Sequence, residues 1–492
     1  MENKKQAIIL SVIASIALLV LIVGATYAYF QASGGTGTNV DVKVTTYTTD
    51  VFNFEVGNDI SIYADATSFA SGKGNASGST FAKAILTANN KTNTATEHYY
   101  LYLNISNNTF LYTQNESTPE LLLTITDASG NAVTDITSLT YKTVTDGKGA
   151  SIKGYDITNK SGLITLFNNK EITASPTKTD EWNITVTLVN YDKDQSKNAG
   201  KSFSAKLMIQ KKKIPTVLSD VCTSGTSLQS CISKLSNLSE PSLVNIYRHT
   251  SSLANGASDG SYRYAGASDS VNNYICLGSD ATPCPDANLF RIIGAFRSKT
   301  KVIRAKSVGD KEWDTNNLNT WSSSSLNTYL NGEYLTSLGT LADKIATTTW
   351  KVGGGTPVNI SSSVPKTAYQ YEVRSSASST TYDAKIGLMY VTDYYYSASP
   401  SAWTLVGYNE SDETKDYRAA TSANWLFLGS TEWTISRFSD NNIRAFYVNS
   451  SGNVFVNFTA NRYEVRPSFN LEASVNYVSG SGSMSDPVRV TY

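Results

Sequence analysis

The sequence predicts a multidomain protein: an N-terminal hydrophobic helix, an all-β sandwich and a C-terminal α+β domain. Three observations carry this reading. An aliphatic run lies near the start, apolar and polar residues alternate between about residues 40 and 212, and six of the seven tryptophans follow Leu243. A chain of 492 residues also exceeds one ordinary core.

The first element is predicted over residues 1–30. Lys4 and Lys5 precede Ala7–Gly24, an aliphatic segment broken only by Ser11, Ser15 and its closing glycine, and no further charge occurs before Asp41. At roughly 1.5 Å per helical residue this run nearly crosses a hydrocarbon core of ~30 Å, and it does so fully if extended to Phe30. The lysines would stay on the cytoplasmic side and place the rest of the chain outside. Small residues at Gly24, Ala25 and Ala28 leave two fates open, cleavage as a signal peptide or retention as a membrane anchor. Residues 31–39, rich in Gly and Thr, read as a spacer.

The second element spans residues 40–212. Tyr99, Leu101, Leu103 and Ile105 alternate with Tyr100, Tyr102 and Asn104. Trp182, Ile184, Val186 and Leu188 repeat the period, as do Phe203, Ala205, Leu207 and Ile209. Each set gives a strand one apolar face. Polar turns such as Asp127-Ala-Ser-Gly-Asn131 separate the strands, which predicts an antiparallel sandwich. His98 reads as a solvated strand-end residue.

Lys211-Lys-Lys-Ile-Pro215 ends this region, and residues 213–242 read as a linker holding one or two short helices. All four cysteines lie here and just beyond: Cys222, Cys231, Cys276 and Cys284. In an exported chain the local pairs 222 with 231 and 276 with 284 are the simplest disulfide framework, although three connectivities exist for four cysteines. Zinc-type Cys-x-x-Cys spacing is absent, and no metal or other cofactor is expected.

Residues 243–492 form the third element. Asn288–Phe296 and Lys301–Ala305 predict a hairpin across Arg297–Thr300. Ser322–Ser325 cap a helix carrying Leu326, Tyr329, Leu330 and Tyr334, which Gly332 divides or weakens. Ile386–Val391 reads as a buried strand. Near the end, Ala445–Val448 and Val454–Phe458 flank Asn449-Ser-Ser-Gly-Asn453, the pattern of a hairpin. Strand pairs, a small helix and long polar loops predict an α+β module.

Composition narrows the function. Lys plus Arg and Asp plus Glu both number 41, which removes the basic footprint of a nucleic-acid binder. The two histidines, His98 and His249, are far apart in sequence, and no Walker or His-Glu-x-x-His motif occurs. No enzyme is expected.

Trp433 and Arg437, then Tyr447-Val-x-x-x-Gly452, then Val465-Arg466-Pro467 resemble the end of a domain of gut-associated Gram-positive surface proteins. That domain is distantly related to the C-type-lectin-like and formylglycine-generating-enzyme folds. The resemblance implies a C-type-lectin-like module from about Leu243 onward. No Glu-Pro-Asn or Gln-Pro-Asp triplet is present for calcium-dependent sugar binding, and no cysteine follows Cys284 for oxidase chemistry. The tail Gly24–Phe30 is similar to the signal segments of camelysin-type matrix-fibre proteins. The strands Trp182–Asn190 and Lys201–Ile209 resemble their jelly-roll or immunoglobulin-like domains.

Two functions follow as expectations. In the first, an exported cell-surface protein binds a protein or glycan ligand through its lectin-like domain, lifted by the sandwich. In the second, the β-domain self-assembles into a matrix fibre. The candidate ligand-binding residues are Asn441, Asn442, Arg444, Phe446, Phe455, Asn457, Asn461, Arg462 and Tyr463, a mixture of aromatic, amide and guanidinium groups suited to recognition. Alternation places Val454, Val456 and Phe458 in the core and turns Phe455 and Asn457 outward. The bland alternative is that the aromatics are core and the asparagines form turns. Trp433, Arg437 and Arg466 are assigned to structure, with Asp393 or Glu432 as a carboxylate partner.

Overall fold

The computed structural model describes residues 49–89, 93–374 and 380–491. The helix expected over 1–30 and the spacer at 31–39 lie outside the described residues. Among the described residues no helix is long and apolar enough to cross a membrane. The chain divides into two compact units between Lys213 and Ile214.

The first unit contains β1 (Val51–Val56), β2 (Ile60–Tyr63), β3 (Ala76–Thr87), β4 (Ala95–Asn108), β5 (Leu121–Asp127), β6 (Tyr141–Thr145), β7 (Ser151–Asp156), β8 (Gly162–Ala174), β9 (Thr177–Leu188) and β10 (Ser202–Gln210). They form a six-stranded sheet, β1-β3-β9-β5-β7-β6, and a four-stranded sheet, β2-β10-β4-β8. Every pairing is antiparallel. Leu101, Leu103 and Leu207 from one sheet join Ile184, Val186 and Leu123 from the other in one apolar cluster, two layers around a shared core. Of the three strands read from alternation, β4 departs from it: Tyr102 and Asn104 are buried as well as Leu101 and Leu103. His98 sits within β4 rather than at its end, half exposed, with Nε2 3.7 Å from Glu171.

The second unit contains β11 (Ile246–Arg248), β12 (Tyr262–Tyr264), β13 (Tyr274–Cys276), β14 (Leu289–Phe296), β15 (Lys299–Arg304), β16 (Asp310–Glu312), β17 (Thr348–Lys351), β18 (Thr381–Ala384), β19 (Ile386–Gly387), β20 (Glu432–Arg437), β21 (Arg444–Val448), β22 (Val454–Phe458), β23 (Arg462–Glu464), β24 (Ser468–Leu471), β25 (Asn476–Ser479) and β26 (Arg489–Thr491). A seven-stranded sheet runs β11-β12-β14-β15-β24-β19 with β13 beside β14. A five-stranded sheet runs β16-β23-β20-β21-β22, and β17-β18 and β25-β26 are two-stranded. Among the described residues its two longest helical runs are Leu228–Leu238, of 11 residues, and residues 325–337, which include a π-turn. The remaining helical pieces are short, so the unit is mostly β, with less helix than an even α+β mixture.

Residues 214–242 are not a free linker. Leu218, Val221, Leu228, Cys231, Ile232 and Leu235 enter the main apolar cluster of the second unit, because the apolar stripe of Leu228–Leu238 has a sheet to pack on. The disulfides join Cys222 to Cys231 and Cys276 to Cys284. Two such bridges point to an oxidising, extracellular compartment.

The six tryptophans of this unit are all among its fully buried side chains. The hairpin β14–β15 turns at Arg297, which takes a left-handed φ of 54°. Ser324 caps the helix at Ser325–Tyr329, accepting from Asn327 N–H at 3.1 Å. Around Gly332 that helix widens into a π-turn over Leu330–Tyr334. The run Ile386–Val391 is buried as expected, but only Ile386–Gly387 is strand, and Val391 already begins a helix that ends at Tyr396.

Candidate ligand-binding site on the terminal sheet

The site is built from the register of the five-stranded sheet. Val448 pairs with Val454 across the turn Asn449–Asn453, which fixes Tyr447 opposite Phe455. On the other side of β21, Tyr447 lies opposite Trp433. Opposed residues of an antiparallel pair point to the same face, so the three rings share one side of the sheet. The turn itself is held by Asn449, whose Oδ1 accepts the N–H groups of Ser451 and Asn453 at 3.0 and 2.9 Å. Gly452 supplies the positive φ of 90° that closes it.

Tyr463 on β23 extends the row. Its ring centroid lies 4.6 Å from that of Trp433 and 4.9 Å from that of Tyr447. Phe455 stands 6.2 Å from Tyr447 and 4.3 Å from Tyr408, which arrives from a neighbouring loop. At the far end the Lys311 ammonium lies 3.8 Å from the centre of the Tyr329 ring. Trp433 is fully buried and anchors the row through its Nε1–H, which donates to Lys311 O at 3.0 Å, while Tyr408, Tyr447, Phe455 and Tyr463 are half-buried. Asn457, one alternation along from Phe455, donates through Nδ2 to the Tyr463 hydroxyl at 2.6 Å. Burial, with Tyr463 alongside, raises the pKa of the Tyr447 hydroxyl, so it stays a neutral donor and acceptor.

The nine residues expected to bind are divided by this geometry. Phe455, Asn457 and Tyr463 meet on the aromatic face. Phe446 is fully buried, because it shares the opposite, core-facing side with Glu432, Val448 and Val454. Arg444 lies on that side too, its guanidinium 4.8 Å from the centre of the Phe458 ring. Phe458 is 40% exposed instead of core, since it ends β22 beyond the cover of the cluster. Val456 is half-buried against the core. Arg462 is exposed and engages both Glu312 oxygens at 3.0 Å. Asn441 and Asn442 form the β20–β21 turn, where Asn319 N–H donates to Asn442 O at 2.8 Å and Asn319 Nδ2 donates to Asn441 O. Asn461 closes the β22–β23 turn, its N–H donating to Phe458 O at 3.0 Å.

Sequence reasoning missed Tyr447 and Tyr408. The signal for Tyr447 was present: a five-residue turn between Val448 and Val454 requires Tyr447 to face the same way as Phe455. Tyr408 carried no such signal, since it reaches the sheet from a loop 47 residues before Phe455 in sequence. Beneath the face, Arg466 donates from Nε and Nη2 to the two oxygens of Glu432, both at 2.7 Å, with each side chain buried. The carboxylate partner of Arg466 is therefore Glu432; Asp393 is engaged elsewhere.

The first unit offers a second concavity, a cleft of about 860 Å³ bounded by the Asp127–Ser138 loop and β8. Its rings are already covered: Lys170 Nζ lies 5.3 Å from the centre of Phe167 and 5.1 Å from that of Trp182. The terminal sheet is thus the stronger candidate for recognition. Comparison of the chain with protein-family models, curated proteins and solved structures returns no match.

Proposed function

We propose that this is an exported cell-surface protein whose second unit, lectin-like in organisation, binds a glycan or protein ligand, with the first unit, a jelly-roll or immunoglobulin-like sandwich, acting as the stalk. The single observation behind the ligand-binding reading is the row of half-buried rings, Tyr463, Tyr447, Phe455 and Tyr408, crossing one face of an open sheet. Such rings give contact area at low entropic cost, and the Asn457 amide and tyrosine hydroxyls add directional hydrogen bonds. The role is binding, with no catalytic step and no cofactor.

A glycan and surface-protein array probed with the full chain tests this. Replacing Tyr447 and Phe455 together by Ala should weaken any positive signal about tenfold or more, from the loss of two stacking rings. Arg462→Ala should leave it unchanged, because that guanidinium is occupied by Glu312. An unaltered signal in the double variant removes the proposed face. The fibre role has its own support in β1 and β6, which among the described residues form the two edges of the six-stranded sheet. Filaments of the full chain in electron microscopy would favour it.

A further inference from the structure

The second unit buries an amine directly against a carboxylate. Lys301 extends from β15 and Asp393 from the first turn of the helix Val391–Tyr396, with Nζ 2.5 Å from Oδ2. The two side chains are 6% and 3% exposed. The rings of Trp350 and Tyr390 close over the amine, their centres 5.3 and 4.6 Å from Nζ. Oδ2 also accepts the N–H of Tyr390 at 2.8 Å, and Oδ1 lies 3.7 Å from Nη1 of buried Arg263. Arg263 is itself held by Asp259 at 2.7 Å.

Three requirements for condensation meet here. The reacting groups are held together, which replaces a bimolecular encounter by a positioned one. Water is excluded, so the ion pair has lost its hydration and a neutral product is favoured over it. A fixed cation, Arg263, faces the oxygen on which negative charge would develop. Burial also lowers the pKa of Lys301, against the opposing pull of Asp393, and so favours the free amine. Glu372, a second buried carboxyl with a raised pKa, acts electrostatically on Lys301 and binds the N–H groups of Val391 and Thr392, the two residues preceding Asp393.

We propose that Lys301 and Asp393 join in an intramolecular amide bond. A proton passes from the ammonium to the carboxylate, and Nζ attacks Cγ to form the N–C bond. The resulting tetrahedral centre places its oxyanion, Oδ1, toward Arg263. Oδ2 collects a second proton from nitrogen and leaves as water, breaking the C–O bond. One ammonium and one carboxylate thus become one amide and one water, with no oxidant, reductant or activating group. The link ties β15 to the helix after β19 across 92 residues of sequence. It would make the second unit resistant to pulling and to proteolysis.

The test is a peptide map of the reduced full chain. Trypsin cannot cut after an acylated lysine, so the linked protein yields residues 300–304 uncut and joined to residues 386–415, with the combined mass lower by one water. Lys301→Arg keeps the positive charge and should abolish the joined species, releasing 386–415 as a linear peptide. Recovery of 302–304 and 386–415 as separate linear peptides from the unsubstituted chain means an ordinary buried ion pair, and overturns the proposal whether or not the variant folds.

Discussion

The two units bury different things. In the first, the core is a set of aliphatic and aromatic side chains, and among the acidic and basic residues described only Glu120 and Asp156 are buried. In the second, Arg263, Arg291, Lys301, Asp314, Glu372, Asp393, Asp416, Glu432 and Arg466 are buried. An aliphatic core needs only apolar residues of suitable volume, whereas a buried ion needs a specific partner in a specific place. The first unit should therefore tolerate volume-conserving repacking that the second does not.

The largest expected effect follows from breaking one of these pairs. Glu432→Ala leaves Arg466 buried without its carboxylate and should cost the second unit about 3–5 kcal/mol. Urea unfolding followed by tryptophan fluorescence reads it, since six of seven tryptophans report on that unit. Replacing both partners by apolar residues of similar size should cost less than the single change. In the first unit, Leu103→Ala opens a cavity in a fully buried position and should cost about 3 kcal/mol, seen by far-ultraviolet circular dichroism. Removing the bridge with Cys222→Ser and Cys231→Ser should cost about 2–3 kcal/mol in the second unit.

A smaller, pH-dependent difference involves His249. It is fully buried against Tyr396 and Trp403, and its Nδ1 accepts the Ala257 N–H at 3.0 Å. Burial, aided by the Arg263 charge, holds its pKa well below the ordinary value. The folded state then binds fewer protons than the unfolded state in mild acid. Its contribution is complete above a pH of about 6.5 and declines by about 1.4 kcal/mol per pH unit below it, until the folded-state pKa is reached. His249→Phe should flatten that part of the second unit's stability curve. At the surface of the first unit, Lys83 pairs with Glu181 at 3.1 Å with both side chains about a third exposed, and Lys83→Ala should cost under about 1 kcal/mol.

The same contrast explains what could be read in advance. The Trp182–Leu188 and Phe203–Ile209 patterns predict their strands and inner faces, because a period of two follows directly from backbone geometry. The hairpin Arg444–Phe458 is equally local, and its turn implied the Tyr447–Phe455 pairing. Phe446 differs from expectation because the two β21 members of the set, Arg444 and Phe446, lie on the face opposite to that of Phe455 and Asn457. Residues 213–242 read as a linker because their apolar stripe gives no hint of the sheet that receives it.

The order of residues along the chain was enough to define three strands of the first unit and the terminal hairpin, and to make the local cysteine pairs the simplest choice, since each depends on neighbours a few positions apart. Long-range packing settled the rest: Tyr408 against Phe455, Arg466 on Glu432, and Lys301 against Asp393. These contacts join segments separated by tens of residues, and whether a charge or ring is buried, paired or presented depends on which distant surface closes over it.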